Sequence, residues 1–215
     1  MLLAEHLLLL DRKLDGAPLS DPARPPVELN RWMAAACITE LAAMGRLQLV
    51  GNEVVATSDI AAHYMLLNDV LMVVKKKSLT PTATVDAVAR AMPRIAVNLL
   101  SSMVLRGILI EEKTARFGMA LFGKVRYPVQ STSAYNQSLK HISDGIEAIG
   151  LADLWSLSLI FLADGMSMVQ SVLPDLASQL DGRLDRFEAF VTGTRAPPDI
   201  NAQRARLIFA LTRYE

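Results

Sequence analysis

Apolar positions recur at helical spacing along most of the chain, and two short alternating runs interrupt them. Residues 2–10 read LLAEHLLLL and have no polar face, which predicts a short helix enclosed by protein. Residues 11–27, DRKLDGAPLSDPARPPV, hold four prolines and Gly16 and read as an irregular loop. A helix over about 28–44 stops at Gly45, where a helix C-terminus commonly places glycine. RLQLVGNEVVATSD then alternates around Gly51-Asn52, a hairpin signature. Ser58 or Asp59 can cap a helix over about 60–74 that ends in Lys75, Lys76 and Lys77. Pro81 opens another helix reaching Met92-Pro93, and residues 94–106 form a third that stops at Gly107. ILIEEK begins a strand at 108, and VRY is its return. Beyond Ser131 the spacing is helical over about 133–149, 151–164, 167–180, 184–192 and 200–213, with Ser167 placed as an N-cap.

Helix, glycine, strand, turn, strand thus occurs twice, around Gly45 and around Gly107. No fixed period continues, so this is an echo and not a solenoid. Composition does not shift along the chain. The fold class expected is mainly α: one globular helical domain over residues 1–215 with two β-hairpins, one of them protruding and hydrophobic. The second tip reads ARFGMALFGKVRYPV, with Phe117, Met119, Leu121 and Phe122 between Arg116 and the pair Lys124 and Arg126. Loop tips are usually polar. This one either folds into a core or meets an apolar surface, and those residues form the candidate membrane or partner contact.

Hydrophobic residues make up 52% of the 215 positions and charged ones 20%, enough for a sizeable core and unlike a disordered chain. Lys plus Arg equals Asp plus Glu at 22 each, which removes the overall basicity of a nucleic-acid protein. Cys37 is the only cysteine, so no internal disulfide forms and a reducing compartment is expected. Its neighbours place it on an apolar helix face. The leucine-rich start lacks a basic leader and a cleavage site, and the apolar runs at 64–74 and 151–163 are too short to span a bilayer.

Site chemistry is sparse. His6, His63 and His141 are scattered and read as structural, and no metal-ligand spacing, P-loop or dinucleotide fingerprint occurs. Gly165-Met166-Ser167-Met168-Val169 lacks the second glycine and the preceding strand of a nucleophile elbow. No catalytic residue, metal ligand or cofactor is assigned, and the chain reads as a non-enzyme.

Three stretches in order carry a resemblance: LLAEHLLLL, TELAAMGRLQL at 39–49, and MVLRGILIEEK at 103–113 followed by LFGKVRYPV. Together they resemble the Golgi phosphoprotein 3 family over most of residues 1–150. That resemblance implies a helical domain with a protruding hydrophobic hairpin. In the family's eukaryotic members it goes with a peripheral membrane protein that reads phosphatidylinositol 4-phosphate in a basic pocket and binds cytosolic tails of Golgi glycosyltransferases. The missing acidic leader points to a prokaryotic member. The family's headgroup arginines fall on Ala34, Pro93 and Ala96, and its tryptophan falls in the proline-rich loop. Arg31, Trp32 and Arg94 lie close by and stand as the candidate lipid contacts.

The function expected is therefore binding of anionic phospholipid at a cytosolic membrane face, through the hairpin and nearby cations. The alternative is a protein-interaction or self-association module using the same hairpin. A winged-helix nucleic-acid binder fits less well, because the second wing is apolar and neither preceding helix is rich in donors.

Overall fold

The computed structural model describes residues 1–12, 26–58, 60–114, 124–147 and 153–178, together with 180, 182, 206–208 and 210–211. Within them the chain is mainly helical, with two separate two-stranded antiparallel sheets. Helix α1 (Leu3–Leu10) is buried at every residue, as its lack of a polar face predicts. Helix α2 (Pro26–Ala43) is buried from Trp32 to Ala42 and forms the centre of the domain. Ala34, Ala35, Ala36 and Ala42 keep its surface narrow, so neighbouring helices approach it closely. It packs against α1, α3 (Met65–Lys75), α4 (Pro81–Ala91), α5 (Ile95–Leu105) and α7 (Leu154–Gly165). Helix α6 (Thr132–Glu147) covers α1 and α7. Cys37 is fully buried in this centre, and burial pushes its thiol pKa up.

Both expected C-terminal glycines adopt the left-handed conformation, at φ 71° for Gly45 and 67° for Gly107. Each completes the same two-bond helix stop, with Gly45 N–H on Ala42 O and Arg46 N–H on Leu41 O, then Gly107 N–H on Val104 O and Ile108 N–H on Met103 O. Strands β1 (Leu47–Val50) and β2 (Glu53–Ala56) pair across Gly51-Asn52 as expected. The second hairpin differs in where its strand begins. ILIEEK reads as strand from residue 108, whereas β3 (Glu112–Thr114) and β4 (Lys124–Arg126) are the regular part. Ile110 N–H donates to Pro128 O, but proline has no N–H to return, and the ladder is broken there.

Three further expectations are corrected. Helix α3 starts at Met65 and not near residue 60, because Asn68 folds back to bind both the N–H (2.6 Å) and the carbonyl (2.9 Å) of Ala62. Ser58 instead accepts from Ile60 N–H and from Arg46, and Asp59 lies outside the described residues. The single helix over 167–180 is interrupted: α8 (Val169–Val172) ends before Pro174, and helix resumes over 174–178. Ser167 is no N-cap. It sits at φ 57° and ends α7 in the glycine manner, with its N–H on Asp164 O and Met168 N–H on Ala163 O. The helix expected over 184–192 lies outside the described residues, and of 200–213 the described positions are helical.

A buried polar cluster joins α1 to the rest. Glu5 accepts the Leu2 N–H (3.0 Å) and pairs with Arg106, the residue before Gly107. Glu40 of α2 accepts the Leu3 N–H (2.8 Å) and the Trp155 indole N–H. At the other end of α1, Arg12 lies 6.0 Å over the Tyr127 ring, immediately after β4, and beside Asp11. His6, His141 and Trp155 meet edge to face with ring centres 5.2–5.4 Å apart. Ser138 Oγ lies 2.8 Å from His6 Nδ1 and 2.9 Å from Ala134 O, bonding the ring to α6. Burial first, then the terminal amine and His141, lower the His6 pKa to about 3. His6 and His141 are thus gathered and not scattered, while His63 is exposed away from them.

Burial raises Glu40 from 4.5 to about 7, with Glu5 adding to it and the Leu3, Trp155 and terminal-amine contacts opposing it. Between those values the folded protein holds a proton that the unfolded chain has released. This group's stabilisation is therefore full below about pH 4.5 and is lost as pH rises through about 7. His6 acts in the opposite sense. Glu40→Gln, which keeps an acceptor for Leu3, is expected to gain on wild type by the order of 2 kcal/mol between pH 5 and 8 in urea melts. Ser167→Gly is expected to raise stability by about 1 kcal/mol by relieving the left-handed serine, read as a shift in the thermal midpoint.

Candidate functional site

Among the described residues, a cleft between α2 and α4 and the stem of the second hairpin both present charged side chains to solvent. Thr80 caps α4, accepting from Ala83 N–H, with Pro81 in the first turn. The helix ends at Met92 because the residue before Pro93 is disfavoured in helical geometry. Asn30 then clamps the turn onto α2: its Nδ2 donates to Pro93 O (2.7 Å) and its Oδ1 accepts from Ala96 N–H (3.2 Å). This holds open a cleft of about 470 Å³ lined by Val27, Asn30, Arg31, Asp86, Ala89, Arg90 and Pro93.

The electrostatics of the cleft are simple. Arg31 Nε lies 2.9 Å from Asp86 Oδ1, both side chains being more than a third exposed. Arg90 is exposed, with no ion pair among the described residues. The described lining thus holds two cations and one carboxylate, against walls of Val27, Ala89 and Pro93.

Of the expected lipid contacts, Arg31 lines this cleft. Trp32 does not: it is turned into the core and is only 7% exposed. Arg94 is exposed at the N-cap of α5, beside Pro93 but outside the lining. Ala34 and Ala96 are core positions at 0% and 4% exposure, so an arginine in either column would have to enter the packed interior. Asn30, Asp86 and Arg90 were not chosen from sequence. The available signal was spacing: Val27, Asn30 and Arg31 fall at i, i+3, i+4 on α2, as Asp86, Ala89 and Arg90 do on α4.

The hairpin stem has one antiparallel register. Glu112 faces Arg126, Lys113 faces Val125 and Thr114 faces Lys124, and the same register continues down to Leu109 opposite Val129. Glu111, Glu112, Lys113, Val125 and Arg126 are exposed, while Leu109 is buried at the base. Arg116, Phe117, Met119, Leu121 and Phe122 lie outside the described residues, and Lys124 is described by its backbone alone. Apolar Leu105, Ile110 and Val125 are exposed on the segments entering and leaving the stem.

Among the described residues no single helix is long and apolar enough to cross a membrane, and no three metal-ligating side chains come together. A family model described as Golgi phosphoprotein 3 (GPP34) matches residues 2–206. No curated protein matches the sequence.

The cleft depends more on Asn30 than on its ion pair. Asn30→Ala leaves the Ala96 amide without its acceptor and is expected to lower stability by about 1–3 kcal/mol. Arg31→Ala removes a partly solvated pair and is expected to stay within about 1 kcal/mol of wild type. Denaturant melts of both variants measure the contrast.

Proposed function

As the chain belongs to the Golgi phosphoprotein 3 family, we propose that it is a peripheral membrane protein that engages anionic phospholipid at a cytosolic membrane face. The observation that carries this reading is the exposed β3–β4 stem, whose register is fixed at its base and which leads into the segment ARFGMALFGK. Fully burying one such apolar side chain stabilises by about 1.5–3 kcal/mol. Partial immersion of Phe117, Met119, Leu121 and Phe122 then contributes a few kcal/mol, and Arg116, Lys124 and Arg126 about 1 kcal/mol each near an anionic surface. Set against the cost of association, this gives weak, reversible, salt-sensitive binding. The α2–α4 cleft supplies the headgroup contact, with Arg31 inside it and Arg94 at its edge.

A protein-interaction reading rests on the exposure of Leu105, Ile110 and Val125 around the stem, where a partner or a second copy would find apolar surface. The two readings separate experimentally. Leu121→Asp with Phe122→Asp is expected to keep the native circular-dichroism spectrum and lose flotation with anionic liposomes. Arg31→Ala with Arg94→Ala is expected to weaken flotation and to make what remains less sensitive to salt. A folded tip variant that still floats removes the hairpin as the anchor. Loss of self-association without loss of flotation supports the partner reading.

A further inference from the structure

Helix α3 turns one narrow stripe to solvent. Met65, Asp69, Met72 and Lys76 follow at i, i+4, i+7 and i+11, opposite the face that buries Leu67, Val70, Leu71 and Val74. Lys76 keeps helical backbone angles (φ −68°, ψ −31°), so the stripe continues through it. Met65 is 81% exposed and Met72 59%, which leaves two long apolar side chains in water on the same line. Asp69 and Lys76 are also exposed and make no ion pair among the described residues. They stand two turns apart, about 10 Å along the helix, too far to pair with each other.

A groove of about 330 Å³ opens beside the first turns of this stripe, where the starts of α1 and α3 meet α5. Its lining includes apolar Leu2, Met65, Met92 and Leu99 and two carboxylates, Glu5 and Asp69. Glu5 is already paired with Arg106, so the uncompensated carboxylate is Asp69. An apolar groove with one exposed carboxylate suits an aliphatic side chain that ends in an ammonium group.

We propose that two copies of this chain associate by antiparallel packing of α3 on α3, each seating its Lys76 on Asp69 at the groove of the other. The stripe complements itself in this direction. With a two-fold axis between positions 72 and 73, Asp69 of each copy meets Lys76 of the other, and the pair forms twice. The two Met72 side chains meet at the axis, where a flexible thioether adapts to its neighbour. Parallel packing in register sets Asp69 on Asp69 and Lys76 on Lys76, and like charges oppose it. The contact follows a helix of 11 residues, about 16 Å long, and covers much less than the roughly 800 Å² per partner of a stable interface. The dimer is accordingly weak, with a dissociation constant on the order of 100 μM. Neither the α2–α4 cleft nor the second hairpin takes part, so the inference stands apart from the lipid reading.

Sedimentation velocity of the full chain, from about 5 to 500 μM, tests it. Wild type is expected to shift reversibly from monomer towards dimer across that range. Asp69→Lys alone and Lys76→Asp alone each turn both attractions into repulsions and are expected to weaken association roughly tenfold or more. Mixed in equal amounts, the two variants are expected to form a heterodimer within roughly threefold of the wild-type affinity. The new lysine of one then faces the native-charge partner it lacked, the new aspartate of the other, and a folding defect in either variant cannot produce such a rescue. Met72→Glu, at the axis, is expected to abolish the dimer while keeping the native circular-dichroism spectrum. Wild type that stays monomeric at the highest concentration overturns the proposal, as do single charge variants that associate like wild type. A mixture no more associated than its separate components overturns it too. Association that Leu121→Asp with Phe122→Asp removes, and the charge variants leave intact, belongs to the hairpin and equally overturns it.

Discussion

A helix buried on every side cannot leave its first amides to water, and the architecture of this protein follows from meeting that demand for α1. Leu2 has no polar side chain to cap with, so Glu5 turns back to accept its N–H, and Glu40 reaches across from α2 for Leu3. Two carboxylates in the interior then require donors and countercharge. Arg106 provides the charge and Trp155 the second donor for Glu40. Arg106 is also the last residue before the hairpin segment begins, and Arg12 meets the ring of Tyr127 just after β4 returns. The N-terminal segment thus meets the chain shortly before and just after the second hairpin, at Arg106 and at Tyr127, while α1 itself lies inside the core.

Helix α5 links the two candidate surfaces. The cleft's Pro93 lip precedes its first turn, and the stem follows its last, about 16 Å further along at the helical rise. Asn30 fixes the first end against α2, and the Gly107 stop fixes the second. Both ends are tied to the same core, so the cleft and the stem share one support.

Much of this was legible in the chain. The enclosed α1, the stops at Gly45 and Gly107, the Gly51-Asn52 turn and the Pro81 start each rest on local chemistry that tertiary packing leaves alone. The misses have a common cause, since each involves a partner distant or unexpected in sequence. Asn68 delays α3 by bonding backward to Ala62, Pro128 empties a ladder position opposite Ile110, and Ser167 occupies a site normally given to glycine. The cleft follows the same logic. Arg31 was found because it lay near a family column, but Asp86 and Arg90 acquire meaning only once α4 is known to lie beside α2. Trp32 was misread because an aromatic residue next to an arginine on a helix points about 100° away from it, here into the core.

The closed register of the second hairpin carries a consequence for how such a protein can change over generations. Gln130 on Ile108, Ile110 on Pro128 and the three strand pairs above them set the register of the stem. Doubling the length of a loop on such a base costs only about 0.6 kcal/mol in closure entropy. A change in the length of the connection therefore costs the stem little, and the register below it can persist while that stretch of sequence varies from one protein to another.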